Sequence, residues 1–414
     1  MKRLIKVFEY DKFYPEEYSL PASFNDALEN FRASKIDFPY YELIKNGVRF
    51  CNYVGVIQIG NVAIEVLPKI DKEKENTDVW QKILIDMLKQ SGVIQTDVPS
   101  SSNLQLKSNS ILDIYIELFI FQCESLLHKG LIKRYRKTEG NKNALKGTLN
   151  FGKHIQQNLV HKERFYVNYN TYDNNHILNQ ILLKTLRLLS SISHSAQLSS
   201  RIGSLLLNFP ELPDIKVNDA TFEKIAFDRK SESYKPAIDL AMLLLLNYHP
   251  DITQGRKNVL ALMFDMNVLW EKWVLSQLKK FASDGIIVTS QTSETFWSPS
   301  TGNGGSKTLR PDIRIEKSEE IIILDTKWKL PKDGRPSDDD LKQMFAYNLR
   351  FGAKRSILVY PGRKPSYAGQ FFDTAHGCCE LYFLDVVKDG KLVGDGVWDL
   401  LKAIEKYNQI RNLI

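Results

Sequence analysis

Apolar residues alternate with others along Val54 to Leu67 (VGVIQIGNVAIEVL), the mark of half-buried strands. Gly60-Asn61 between the two halves is a two-residue hairpin signal, and Pro68 ends the second strand. Residues 1 to about 100 read mainly as β structure. Asp71 to Asp78 is charged, a turn or helix start. From Asp78 the period lengthens, with Trp80, Ile83, Leu84 and Leu88 at helical spacing. Pro99 to Ser110 is polar and Ser-rich, which predicts a linker or exposed loop. Ile111 to Gly130 and Asn174 to Ser190 are apolar helices, and Ser204 to Leu212 runs into a turn bounded by Pro210 and Pro213. Ile238 to Tyr248 is a buried helix closing at His249-Pro250, and the main domain boundary falls near Asp251 to Lys257.

The rest reads as helix, three strands, helix, strand, then a further strand and a C-terminal helix. Val259 to Phe281 is the first helix, its apolar stripe running through Leu260, Phe264, Val268, Leu275 and Leu278, with Glu271 on that stripe. Ile286 to Thr289 is a strand, and Ser298 to Ser306 a Gly/Ser-rich loop. Leu309 to Ile315 alternates, with Leu309, Ile313 and Ile315 on one side and Asp312 on the other. A polar turn, Glu316 to Glu320, leads to Ile321 to Trp328, whose apolar run marks a central strand. After the turn Pro331 to Pro336, Ser337 caps a helix from Asp338 to Phe351, and the strand Ser356 to Tyr360 stops at Pro361-Gly362. The expectation is an α+β or α/β multidomain protein: a β-rich region 1–105, a mostly helical region 106–255 and a mixed region 256–414.

Composition narrows the class. Across 414 residues, 43% hydrophobic and 25% charged, the balance is that of a globular protein with a full core. The longest apolar run, Leu240 to Leu246, is far short of the ~20 residues of a bilayer crossing, and no signal-peptide core follows Met1 to Tyr10. The expected location is the cytoplasm, with no membrane association. Cys51, Cys123, Cys378 and Cys379 lack zinc or redox spacing, and His376 beside the adjacent pair brings no fourth ligand. The net charge of +7 permits a polyanionic partner without demanding one. A basic stretch from Lys129 to Lys146 reads equally as a solvated face and as a phosphate-contacting or docking surface.

The chemistry lies in the last region. Asp325 and Lys327 project from one strand face, about 7 Å apart along it. Asp312 stands one hairpin earlier. Two carboxylates on adjacent strands can share a Mg²⁺, a hard cation that prefers oxygen ligands. The ion lowers the pKa of a bound water and neutralises phosphodiester charge. Lys327 can orient that water and stabilise the phosphorane. The competing reading is an exposed hairpin with chance charges, since D-x-K alone is common. Placement at the end of an apolar strand favours the site. Glu271 taken alone reads as a structural salt bridge, because a core-side carboxylate must be paired. Gln343 and Tyr347, at i and i+4, are either helix surface or the rim of the cleft. Gly302 to Thr308 (GNGGSKT) departs from a P-loop, since Ser306 precedes the Lys and a strand follows.

Asp312 with Asp325-Thr326-Lys327 resembles the PD-(D/E)xK nuclease superfamily, a restriction-endonuclease-like fold. In that superfamily a preceding helix often supplies a further acid, which maps to Glu271. Tyr53 to Ile70 resembles the N-terminal signature of McrC proteins, the nuclease subunits of McrBC-type systems. Gly130-Leu131 with Tyr135, Leu145-Lys146-Gly147, Tyr172 to Gln180, and Asp265-Met266-Asn267 are similar to later parts of that family. The resemblance spans the chain from about residue 50 onward. It implies a Mg²⁺-dependent DNA endonuclease subunit of a methylcytosine-directed restriction system. It implies Asp312, Asp325, Lys327 and, by helix placement, Glu271 as catalytic residues, with Asp312, Asp325 and Glu271 as metal ligands; Gln343 joins the catalytic candidates from its place at the rim of the cleft. Implied partners are a hexameric McrB-like AAA+ GTPase, which the N-terminal region 1–105 enters and stimulates, double-stranded DNA with modified cytosine, and a second copy joined through the nuclease domain. The alternatives are a non-catalytic scaffold for a ring NTPase and a stand-alone repair nuclease.

Overall fold

The computed structural model describes residues 3–34, 38–70, 76–93, 110–193, 195–249, 258–300, 304–317, 320–372 and 377–411. The Ser-rich stretch Pro99 to Ser110 (Ser110 apart), most of the Asp71 to Asp78 turn, the boundary segment Asp251 to Lys257, His376 and Gly302 lie outside them. The protein is mixed α/β with several sheets. It divides into two compact units, one of Met1–Arg3, Gln58–Ala63 and Gln105–Leu262, the other of Leu4–Ile57, Ile64–Leu104 and Met263–Ile414. Among the described residues no helix is long and apolar enough to cross a membrane.

In the first unit, helices Ile111–Lys129, Ile177–Ile192, Ala196–Asn208 and Lys235–Leu246 pack against one another. Their apolar stripes bury Tyr115, Phe119, Ile181, Leu186, Ile202 and Leu244. One polar network crosses this core. Asn179 donates to the carbonyls of Ile132 (2.9 Å) and Asn174 (2.8 Å), and Tyr234 OH donates to Asn179 Oδ1 at 3.0 Å. The Tyr172 to Gln180 motif therefore carries a structural asparagine. A three-stranded antiparallel sheet follows, with Arg134–Lys142 and Thr148–Leu149 flanking Phe165–Asp173. Gly147 sits at φ +84, where a Cβ would lie 2.2 Å from the Asn168 carbonyl, so only glycine fits.

Arg3–Phe8, Val62–Leu67 and Tyr53–Ile59, most of whose residues fall in the second unit, lie side by side in that order, so the predicted hairpin strands are neighbours. The region before them is not wholly β: Ser23–Ala33 is a helix burying Phe24, Leu28 and Phe31. Thr77–Gln90 is the helix expected from Asp78 onward, capped by Asn76.

The unit's larger sheet has six strands in the order Ile286–Ser290, Ile313–Lys317, Glu320–Thr326, Arg355–Pro361, Cys378–Leu384, Tyr367–Gln370. The first three run antiparallel, whereas Glu320–Thr326, Arg355–Pro361 and Cys378–Leu384 are parallel. Parallel neighbours need a crossover, and the helix Asp338–Phe351 supplies it. That helix buries Met344, Tyr347 and Phe351 against Ile323, Leu358 and Leu381. Helix Met266–Phe281 also packs against the sheet.

One expected element begins later than the periodicity predicts. Val259–Asp265 is a strand, and the helix starts at Met266. A short apolar run fits a buried strand as well as a helix. Asp265 marks the break: it accepts from Asn267 N at 2.8 Å as N-cap, and Asn52 Nδ2 holds its carboxylate at 3.0 Å. Val268 is consequently 45% exposed, and the buried stripe runs through Leu269, Trp270, Trp273 and Val274.

Candidate active site

The antiparallel register sets Ile313 opposite Leu324, so Asp312 and Asp325 flank that pair at one end of the two strands. Asp312 Oδ2 accepts from both Thr326 N (2.7 Å) and Thr326 Oγ1 (2.8 Å), which ties the two strands together through the acid. Asp325 follows three buried residues and is itself only 2% exposed. Two positions on, Lys327 emerges on the same face, and its Nζ lies 2.5 Å from Asp325 Oδ2.

That face is covered by the crossover helix. Lys327 Nζ donates to Gln343 Oε1 at 3.2 Å, and Gln343 Nε2 donates to Tyr347 OH at 2.7 Å and, at the edge of bonding range, to Asp325 Oδ1 at 3.5 Å. Tyr347 OH in turn donates to the Arg310 carbonyl at 3.1 Å. Gln343 thus bridges the acid and the amine, while Tyr347 is buried in the sheet–helix core. The structure brings Asp312, Asp325, Lys327 and Gln343 together.

Electrostatics follow from the crowding of acids. Burial pushes the Asp325 carboxyl up to about 6, and the charge of Asp312 adds to this against the pull of Lys327. Burial alone would lower the Lys327 ammonium, but Asp325, Asp340 and Asp312 outweigh it and hold it above the ordinary lysine range. A lysine so held stays protonated, which suits it to stabilising negative charge and not to taking up a proton.

Glu271 is half-buried on its helix. Its Oε1 accepts from Gln291 Nε2 at 3.4 Å, and burial followed by the charge of Asp312 raises its carboxyl. Among the described residues no three His, Cys, Asp or Glu side chains gather closely enough to hold a metal ion together. The Asp312–Asp325 pair nevertheless fits Mg²⁺. Both are hard oxygen donors, and Asp325 is buried beside the Asp312 charge with only the Lys327 ammonium to offset it. Mg²⁺ is commonly held by one or two carboxylates, with waters and substrate phosphate completing its shell.

Sequence reasoning passed over two neighbours. Asp340, in the first turn of the crossover helix, receives Lys329 Nζ at 2.7 Å and lies 3.8 Å from Lys327 Nζ. Its place in an Asp-Asp-Asp run made it look like dipole decoration. Trp328 Nε1 donates to buried Glu9 Oε1 at 2.7 Å, and Trp328 packs against Trp270 with ring centroids 5.3 Å apart. No local signal links residues 319 positions apart. In the first unit, Phe151, Ile155 and Leu159 are all more than half exposed, at helical spacing on and just beyond Phe151–Asn158. That apolar spacing was visible in the sequence. The basic stretch lies mostly on the exposed strand Arg134–Lys142. Downstream, Lys307–Leu309 is a strand, as the dismissal of a P-loop requires.

The family described as McrBC 5-methylcytosine restriction system component matches residues 48–361. No curated protein matches the chain in sequence. Among solved structures, the chain is similar to one from a half-complex of a tetradecameric assembly of Thermococcus gammatolerans McrB AAA+ hexamers with bound McrC. The TM-score is 0.70 at 20% identity, covering 97% of this chain and 100% of that one. A second, from the Thermococcus gammatolerans McrBC complex, gives a TM-score of 0.52 at 21% identity over 67% of this chain and 88% of that one. The McrC-type resemblance read from the sequence agrees with all three.

Proposed function

Because the chain belongs to the family of McrBC 5-methylcytosine restriction system components, we propose that it is the McrC-type DNA endonuclease subunit of a methylcytosine-directed restriction system. Region 256–414 is its PD-(D/E)xK nuclease domain, and a McrB-like AAA+ GTPase hexamer is its partner. The observation that carries the reading is the convergence of Asp312, Asp325, Lys327 and Gln343 at one end of two paired strands.

Asp312 and Asp325 would hold Mg²⁺, with Glu271 a nearby third acid, and the ion would supply an acidified water and neutralise charge on the scissile phosphodiester. Lys327, kept protonated by its acidic neighbours, stabilises the charge that builds on the phosphoryl oxygens. Gln343 fixes the Lys327 ammonium against Asp325, and Tyr347 fixes Gln343. One such centre cuts one strand, so cutting both calls for a second copy across a two-fold. The β-rich N-terminal region 1–105 is the partner-binding part, and the exposed apolar residues Phe151, Ile155 and Leu159 offer a further candidate contact for the GTPase ring.

The test is cleavage of methylcytosine-containing DNA by the chain with a McrB-like GTPase, GTP and Mg²⁺. The reading requires that EDTA and Asp325→Ala each stop cleavage while stimulation of GTP hydrolysis persists under Asp325→Ala. Full cleavage by Asp325→Ala would overturn it. Cleavage with no nucleotide present would favour a stand-alone nuclease instead.

A further inference from the structure

Between the sheet's edge strand and Asp312, the chain leaves the sheet to form a separate antiparallel ribbon of Glu294–Trp297 and Lys307–Leu309. Leu309, at its base, packs against the core behind the site. Towards the other end, Thr295, Phe296, Trp297, Lys307 and Thr308 are all exposed. Phe296 and Trp297 are 60% and 54% exposed, although burying such rings is ordinarily favourable. Trp297 pairs with Lys307 and Thr295 with Thr308, so Phe296 is the extra residue of a β-bulge. Bulges re-aim side chains and recur beside active sites.

The charge on the ribbon is one-sided. Its single acid, Glu294, is neutralised by Arg350 of the crossover helix at 3.1 Å. Lys307 and, just beyond, Arg310 are exposed, and among the described residues neither has an ion-pair partner. Arg310 also belongs to the site: its carbonyl accepts from Tyr347 OH, and its charge is felt by Glu271. Two residues later the chain reaches Asp312. The ribbon is therefore continuous with the carboxylates through three consecutive residues, and it carries exposed rings and unpaired cations together.

We propose that this ribbon is a DNA-contacting element beside the scissile phosphate, with Phe296 and Trp297 packed against bases or sugars and Lys307 and Arg310 on flanking phosphates. The proposal rests on the nuclease reading of the site. A two-stranded ribbon fits the major groove of duplex DNA. Aromatic rings held in that groove can pack on sugars and on thymine methyls, contact that needs no base-specific hydrogen bond. This leaves recognition of the modified base to other parts of the assembly and gives the ribbon a gripping role.

The test is binding of the full chain, in EDTA, to a short fluorescein-labelled duplex followed by anisotropy. Phe296→Ala with Trp297→Ala should weaken binding about tenfold or more, as the loss of two rings buried on binding implies, and Phe296→Tyr with Trp297→Phe should restore most of it. Both rings are exposed, so an unchanged melting temperature is expected and separates contact from folding. Lys307→Ala and Arg310→Ala should each lower the salt dependence by about one ion. Duplex carrying 5-iodouracil should cross-link to Phe296 or Trp297. Wild-type-like binding by the double alanine variant, or failure of the wild type to bind, overturns the proposal. So does loss of self-association or of the GTPase partner with DNA binding intact, which would make the ribbon a protein contact. A chain that grips DNA through these rings yet never cuts it would instead defeat the nuclease reading and leave the ribbon standing.

Discussion

Two strands of this protein carry charge in quite different ways. On Glu320–Thr326 and just past it, Asp325 is sealed between sheet and helix, and every charged neighbour is committed to another. On Arg134–Lys142, Arg136 meets Asp173 and the Glu139 carboxylate meets Lys153, all at the surface. The second strand holds more charge, and the sequence flagged it as readily as the first. Yet its pairs are screened by water and contribute little to stability. A buried acid crowded by a second acid is an unfavourable arrangement that packing alone does not explain. Confinement of charge, not its amount, distinguishes a chemical site from a solvated face.

The strongest way to break this comparison is to remove the confined charges. Asp325→Ala should abolish cleavage, and Lys327→Ala should reduce kcat by about 10²–10³-fold, the usual loss for a group that stabilises transition-state charge. Arg136→Ala should leave the cutting step unchanged once the GTPase is saturating. Equal losses at both places, in a single-turnover cleavage assay, would show that confinement carries no special meaning here.

Stability should show the same contrast. Trp328, next to Lys327, is buried against Trp270 and bonded to Glu9. Trp328→Ala should cost about 3–5 kcal/mol in urea unfolding, as large-to-small core substitutions do. Trp328→Phe should recover the packing but leave Glu9 without its indole donor, a loss of about 1–3 kcal/mol. If Trp328→Phe proves neutral, Glu9 does not help to seat the strand that carries Asp325 and Lys327.

A titration sharpens the point. The Asp325 carboxyl sits near 6 when folded, above its value in an unfolded chain. The folded state therefore binds that proton more tightly, so the stabilisation is complete below the unfolded pKa of about 4 and is lost as pH rises through about 6. Without metal, wild type should lose about 2–3 kcal/mol relative to Asp325→Asn between pH 4 and 7. Cleavage should run the other way, falling as pH drops through about 6, because a protonated carboxyl holds no cation. A pH-independent difference between wild type and variant would mean that Asp325 is not crowded by charge.

How much of this could be read from the chain depends on how local each cause is. Period-two alternation placed Asp325 and Lys327 on one face, and the Ser337 cap together with Gly352 at φ 65 fixed both ends of the crossover helix. Val259–Asp265 escaped because what marks its end lies far off in the chain: the Asp265 cap is held by Asn52, 213 positions away. Arg134–Lys142 escaped for the opposite reason. It has no apolar alternation, and it is a strand only because residues Phe165–Asp173 offer it a nine-residue ladder. Gln343 was legible as a neighbour of Tyr347, but its bridge between Asp325 and Lys327 depends on how helix and sheet stack, which spacing along one helix does not encode.

The smallest effect tests whether anything on the exposed strand holds it together besides that ladder. Tyr135 and Tyr172 face each other across the register with ring centroids 4.7 Å apart, though they are 76% and 59% exposed. Cross-strand aromatic pairs of this kind couple by about 0.5–1 kcal/mol. A double-mutant cycle with Tyr135→Ala and Tyr172→Ala should give a coupling in that range. Rings in water keep part of their hydration, so the coupling should stay well below the Trp328 loss. A value as large as that for Trp328 would mean that another surface covers these rings in solution, and the strand would then belong with the confined charges and not with the solvated ones.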